Sequence, residues 1–196
     1  MHLTPFASQA DRTLFFVIYS IWILTFIVER VVISRSGQSA TRIRSDKGSY
    51  LLIVASIFLS ITIAFTFADA GVMILPLWVF YAGIGMMVIG LLLREWAVVT
   101  LREFFSYTVR VREDHSVVQT GPYTLVRHPA YSGTMLIVVG VACALRSLAG
   151  IIILIILFTL AFTYRITIEE KLLTQQLGRS YMEYMKRTKR LIPYLI

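Results

Sequence analysis

The sequence predicts an all-α integral membrane protein with five transmembrane helices, the last two forming a helical hairpin. Three observations carry that expectation. The 196 residues are 57% hydrophobic and only 15% charged, with a mean hydropathy of +0.74, whereas a soluble domain carries about a quarter charged residues. Apolar runs long enough to cross a hydrocarbon core of about 30 Å recur along the chain. Between two of them lies the polar stretch Gln119–Gly133, QTGPYTLVRHPAYSG, whose composition suits neither a plain span nor a plain solvated loop.

A dozen residues with Pro5, Asp11 and Arg12 form a polar leader or an interfacial helix. Leu14–Ile33 is the first span, apolar except for Glu29 and Arg30 near its end; it is too long for the apolar region of a signal peptide and lacks a basic segment before it, so no cleavable signal is expected. Ser34–Ser49 is a basic polar loop. Tyr50–Ala68 and Val72–Leu93 are the second and third spans, joined by the tight connection Asp69-Ala70-Gly71 into an antiparallel pair. Arg94–Arg127 mixes five basic and four acidic residues with Trp96, Phe104, Phe105 and Tyr107, the pattern of a helix leaving the membrane along its surface and passing into a loop. Gly133–Tyr164 is interrupted by Arg146-Ser147. A single helix of that length would measure about 48 Å, so two spans with a turn near Arg146–Gly150 are more economical. Ile168, Leu172, Leu173, Leu177, Tyr181, Tyr184 and Met185 then mark one apolar face of an amphipathic helix ending before Pro193. The whole chain, 1–196, reads as one domain with spans at about 14–33, 50–68, 72–93, 131–146 and 148–164.

The net charge of +8 records topology and anionic headgroups in a chain this apolar, so nucleic acid is set aside as a partner. With five spans, seventeen of the nineteen basic residues fall on the side of the C-terminus, leaving Arg12 and Arg146 opposite. The positive-inside rule then places the N-terminus outside and the C-terminus in the cytoplasm. A re-entrant last hairpin, giving four spans, is the minor alternative. The lone Cys143 excludes an intramolecular disulfide, and His2, His115 and His128 have no metal-ligand spacing, so no metal is expected. Gly83, Gly85 and Gly90 lie inside a span with no strand before them, which points to close helix packing rather than to nucleotide binding.

A turn near Leu148 brings both ends of the hairpin to the same depth. Tyr123, Arg127, His128 and Tyr131 then meet Arg165, Glu169 and Glu170 at an apolar boundary. Each has an ordinary structural account: headgroup anchor, helix start before Pro129, interfacial aromatic, surface ion pair. Together, ionisable groups gathered at such a place are costly unless paired or used, and the cluster reads as a polar binding site.

The run His115-Ser-Val-Val-Gln-Thr-Gly-Pro-Tyr123, then Arg127-His-Pro-Ala-Tyr-Ser-Gly133, then Arg165 with Glu169-Glu170, Leu173, Gly178, Tyr181 and Tyr184 resembles the isoprenylcysteine carboxyl methyltransferase family. It is also similar to the wider group of membrane methyltransferases that includes phospholipid N-methyltransferases. The match covers about the C-terminal half; the N-terminal spans carry no comparable motif, and the eukaryotic members are longer at the N-terminus.

The resemblance implies S-adenosyl-L-methionine as methyl donor, leaving as S-adenosyl-L-homocysteine, in a cytoplasmic pocket formed by regions 94–132 and 165–196 and closed by the C-terminal helix. By motif position, His115, Ser116, Val117, Val118, Tyr123, His128, Pro129, Ala130, Tyr131 and Glu169 would line that pocket, and Arg165 would face the substrate as the catalytic and substrate-binding residue. The implied reaction is methylation of the carboxylate of a C-terminal prenylated cysteine or similar lipidic acid. Its lipid tail would come sideways from the bilayer, with membrane lipids as the other partners. A phospholipid N-methyltransferase of the phosphatidylethanolamine type is the alternative, and a non-catalytic lipid-binding scaffold the second.

Overall fold

The computed structural model describes residues 5–36, 43–44, 48–101, 105, 110–111 and 117–192. Their main elements are α1 (Gln9–Ser36), β1 (Ile43–Arg44), α2 (Ser49–Asp69), α3 (Leu77–Leu101), β2 (Arg110–Val111), a 3-10 turn at Gly121–Thr124, α4 (Pro129–Ala144), α5 (Leu148–Leu177) and α6 (Arg179–Arg187). Four of these helices, α1, α2, α3 and α5, are long and apolar enough to cross a membrane; α4 is apolar but only 16 residues long. The chain is thus an all-helical, multi-pass membrane protein. A core of Phe15, Trp22, Phe80, Met87, Ile137, Val141, Leu154, Phe158 and Phe162 runs between the helices, while Leu24, Phe58, Trp78, Leu92 and Leu160 remain exposed on the outside, as lipid-facing residues do.

Glycine sets the tightest contact. A Cβ on Gly83 would stand 2.6 Å from the Gly140 carbonyl oxygen, and one on Gly90 would stand 2.7 Å from that of Gly133. The backbones of α3 and α4 therefore touch at two points seven residues apart on each helix, the small-residue packing that membrane helices use where apolar burial gives no driving force. Gly85, with nothing within 4 Å of its would-be Cβ, takes no part. A second close approach joins Gly150 of α5 to Ala64 of α2, 2.5 Å from a would-be Cβ.

The connections pair as well. Leu75 N–H donates to the Arg146 carbonyl (2.8 Å) and the Arg146 Nε–H to the Leu75 carbonyl (2.6 Å), so the α2–α3 and α4–α5 connections share one end of the bundle. The starts of α2 and α4 and the ends of α3 and α5 consequently share the other. There β1 and β2 pair antiparallel, Ile43 with Val111 and Arg44 with Arg110, tying together the segments that follow α1 and α3. Polar contacts pin α1 along α3 at two levels: Tyr81 Oη donates to Asp11 Oδ1 (3.1 Å), and the buried Arg94 guanidinium pairs with Glu29.

Three expected boundaries move. The third helix begins at Leu77, not Val72, because Met73 has φ 54° and Pro76 precedes the first turn; residues 73–75 pair with the α4–α5 connection instead. Beyond the expected span end at Leu93 the helix continues to Leu101, in keeping with the helix expected to leave the membrane there, and Arg94 pairs with a carboxylate on the way. The α4–α5 break is Leu145–Ser147, because the Ser147 hydroxyl caps the Gly150 N–H (3.1 Å) and Leu148–Gly150 are already helical. Finally, α5 continues past Tyr164 to Leu177, and the expected single amphipathic helix is broken at Gly178, whose φ of 56° and ψ of −128° only glycine adopts easily.

Replacing Gly140 by Val should force α3 and α4 apart and lower stability by about 1–3 kcal/mol or more, whereas Gly85→Ala should leave it unchanged or slightly raised. Thermal unfolding in detergent distinguishes them, and equal losses in both variants would contradict this packing.

Candidate functional site

Pro129 occupies the first position of α4, where its missing N–H costs nothing, and His128 precedes it with extended φ (−126°). The chain before them is held by a neighbouring segment: Arg127 N–H donates to the Lys189 carbonyl (2.8 Å) and His128 N–H to that of Arg190 (3.0 Å). Further contacts come from Ser132 Oγ to the Leu191 carbonyl (2.6 Å) and Tyr184 Oη to the Tyr123 carbonyl (2.8 Å). Residues after α6 thus lie as a strap along the Gly121–His128 segment. Burial pushes the Tyr184 hydroxyl up to about 12, so at neutral pH it remains the donor this contact requires.

The first ionic centre is Glu170, 4% exposed. Its Oε1 accepts from Arg127 Nε (2.8 Å) and lies 3.3 Å from His128 Nε2, while Oε2 accepts from Arg190 Nε (3.1 Å). Arg127 also donates to the Met185 carbonyl (3.0 Å) and to that of Thr188. One carboxylate from α5 thereby joins the segment before α4 to the strap after α6.

The second centre is Arg165, 2% exposed. It lies about 26 Å along α5 from Leu148, close to the far boundary of a 30 Å core. Its Nε donates to Tyr131 Oη (3.0 Å) and its terminal nitrogen to Ser49 Oγ (2.9 Å). Tyr131 Oη in turn donates to Glu169 Oε2 (2.6 Å), which lies 3.9 Å from Arg165 Nε. The Tyr131 ring stacks on His128 (centroids 5.4 Å apart, 11° between planes) and meets Phe162 edge-on at 5.1 Å. Glu169 is the accessible acid of the pair, its side chain 27% exposed against 5% for Glu170.

An apolar wall adjoins these groups. Tyr123, Ala130 and Ala97 pack together, with Leu101, Phe105 and Val118 against them. Tyr123 Oη lies 3.4 Å from the Ala97 carbonyl, to which it donates. Burial, aided by the charge of Glu169, pushes that hydroxyl well above the usual phenol range.

The structure therefore gathers His128, Tyr131, Arg165 and Glu169 into one contact network, with Pro129 starting the helix that carries Tyr131, and gathers Val118, Tyr123 and Ala130 into a second, apolar group. Val117 is half-buried beside Val118; His115 and Ser116 lie outside the described residues. Two participants escaped the sequence reading. Ser49 sits at the start of a span that carries no motif, and only its hydrogen bond reveals it. Arg190 belongs to a basic run that reads as a solvated or headgroup-facing tail. Gly-Ser before an apolar run is the one signal that marks Ser49, and it signals a helix start rather than a site.

The profile of the isoprenylcysteine carboxyl methyltransferase (ICMT) family matches residues 83–175. The chain is 32% identical over 120 residues to protein-S-isoprenylcysteine O-methyltransferase B of Arabidopsis thaliana, covering 60% of this chain and 61% of that protein. Against the Schizosaccharomyces pombe protein-S-isoprenylcysteine O-methyltransferase it is 31% identical over 116 residues, 58% of this chain and 49% of that one. These matches span between half and about three-fifths of the relatives' length. Among solved structures, the eukaryotic intramembrane Ras methyltransferase ICMT superposes with a TM-score of 0.70 at 22% identity, covering 97% of this chain and 70% of that one, a likeness of fold. The resemblance carried by the motif residues is thereby borne out, and it extends to the fold of the N-terminal spans, where no motif was visible.

Removing the Glu170 carboxylate by Glu170→Ala should destabilise the protein by about 3–5 kcal/mol, the cost of stranding buried cations. The same change at the more open Glu169 should cost clearly less. Thermal unfolding of the two variants checks this, and equal losses would show that Glu170 does not hold the segments together.

Proposed function

We propose that this chain, matched by the isoprenylcysteine carboxyl methyltransferase family over residues 83–175, methylates the carboxylate of a C-terminal prenylated cysteine or similar lipidic acid, with S-adenosyl-L-methionine as donor. The observation that carries the proposal is the buried Arg165 guanidinium, oriented by Ser49 and Tyr131 where the apolar stretch of α5 gives way to polar sequence, with Glu169 and the stacked His128–Tyr131 pair beside it.

The residues present fit such a donor. Glu169, the accessible carboxylate, would hold its ammonium; His128 and Tyr131 offer aromatic faces toward a sulfonium; Val118, Tyr123 and Ala130 supply the apolar wall that an adenine requires. Val117 and Pro129 border these groups, and His115 and Ser116 join them by motif position. When bound, the cofactor supplies an electrophilic methyl group and leaves as S-adenosyl-L-homocysteine.

The protein's own part is positioning. A carboxylate acceptor is already ionised at neutral pH, so no general base is required. Arg165 stays charged at every relevant pH and orients the carboxylate through parallel N–H donors. The hydrogen bonds from Arg165 to Ser49 and Tyr131 fix the plane of the guanidinium before the acceptor arrives, so less freedom is lost on binding. The apolar surroundings of Phe158 and Phe162 exclude water from the reacting pair.

The proposed topology is five spans in a single domain, 1–196, α4 and α5 forming the last hairpin and the active site lying on the cytoplasmic side, with the N-terminus outside. The charge distribution supports it, as does the pairing of the α2–α3 connection with the α4–α5 connection at one end of the bundle. At about 24 Å, α4 is short for a span, and its glycine contacts with α3 show how it can be kept within the bundle.

Purified protein given S-adenosyl-L-methionine and a farnesylated cysteine analogue should form a base-labile methyl ester. Arg165→Ala should reduce kcat/KM for the acceptor about 100-fold or more, the worth of one or two hydrogen bonds to a charge. Ser49→Ala should reduce it about tenfold. Glu169→Gln should weaken S-adenosyl-L-homocysteine binding, measured by calorimetry, more than it weakens acceptor binding. Base-stable methylamine products in place of esters would replace this reading by phospholipid N-methylation, and absence of cofactor binding would favour a scaffold.

A further inference from the structure

A cleft of about 330 Å³ opens beside the strap, and five of the residues that line it are cations: Arg127, Lys186, Arg187, Lys189 and Arg190. No acid lines it. Two carboxylates of α5 and α6 are already engaged, Glu170 by Arg127 and Arg190, and Glu183 by Arg179 (3.0 Å). The floor is firm: the Arg127 guanidinium, its side chain only 8% exposed, donates to the Met185 and Thr188 carbonyls, and Thr188 Oγ1 to the Tyr184 carbonyl (2.8 Å). Lys186, Arg187, Lys189 and Arg190 stand exposed around it. Apart from Arg127, these residues lie beyond the region that the family profile matches.

We propose that this cleft is a headgroup site for an acidic phospholipid of the surrounding leaflet. The chemistry recognised is a phosphate monoanion or dianion flanked by several cations, which a free phosphate shares; the location favours the lipid. Ser132, in the first turn of the apolar helix α4, donates to the Leu191 carbonyl (2.6 Å), and Leu191 packs on the main core. The cleft therefore sits at the level where the polar strap meets the apolar bundle, the level that phosphate headgroups occupy. Arg190 links cleft and site, since it also donates to Glu170; an acidic lipid there would draw on the same strap that holds the segment before α4. The proposal does not rest on methyl transfer, because lipid binding is read directly.

The test uses purified full-length chain exchanged into detergent micelles with equal phosphatidylglycerol and phosphatidylcholine, with retained lipids counted by native mass spectrometry. The wild type should retain phosphatidylglycerol preferentially. Lys186→Gln, Lys189→Gln and the triple variant with Arg187→Gln should lose that preference by up to about fivefold for each cation removed. Lys171→Gln, an exposed cation of α5 outside the cleft, should keep it. Circular dichroism confirms folding, and if the triple variant unfolds the single variants decide. No preference in the wild type, an equal loss in Lys171→Gln, or an undiminished preference in the cleft variants would overturn the proposal. Displacement of phosphatidylglycerol by millimolar inorganic phosphate would overturn the lipid assignment in favour of a free-phosphate site.

Discussion

The candidate site depends on one buried carboxylate. Glu170 receives Arg127 and His128 on one oxygen and Arg190 on the other, so three segments distant in sequence converge on a single charge. Such an arrangement tolerates burial because every partner is cationic or hydrogen-bonded; removing the carboxylate leaves the cations gathered on it uncompensated. Its position on α5, next to Glu169, makes the two adjacent acids unlike in role. The buried one organises the segments, and the more open one is the acid proposed to meet the cofactor.

What lets Glu170 do this is the packing of the bundle behind it. The glycine contacts of α3 and α4 fix where α4 begins, hence the positions of His128 and Tyr131. The contact of Gly150 with Ala64 fixes α5 against α2, hence the approach of Arg165 to Ser49. At the opposite end, the paired connections around Leu75 and Arg146 keep both helix pairs in register. Small residues in the apolar layer thus set the geometry of charged residues at its edge, through the helices that carry both.

Much of this was legible in the chain. Apolar runs marked the long helices, because length and hydropathy are sufficient signals for a span. Arg127, His128, Tyr131, Arg165 and Glu169 stood out, because polar groups at an apolar boundary need partners. Helix ends were less legible: the apolar run extends back to Val72 although the helix starts at Leu77, and an apolar face continuing to Met185 hides the break at Gly178. Ser49 was invisible, since a serine opening a span has the same appearance whether or not a guanidinium lies across from it. The pairing of Glu29 with Arg94 was equally hidden, because each residue alone reads as the polar margin of its own helix. Long-range pairs of this kind are properties of the packing, and no local pattern encodes them.

The central claim is that the space bordered by Glu169, the His128–Tyr131 stack and the Val118–Tyr123–Ala130 wall receives the cofactor, with Arg165 facing the acceptor. An experimental structure of the protein bound to S-adenosyl-L-homocysteine tests this most directly. The ligand's ammonium should lie in salt-bridge contact with Glu169 and its adenine against Val118 and Tyr123. A ligand bound instead in the basic cleft between Arg127 and the 185–190 strap, with Glu169 still bonded to Tyr131 and facing no ligand, would contradict it.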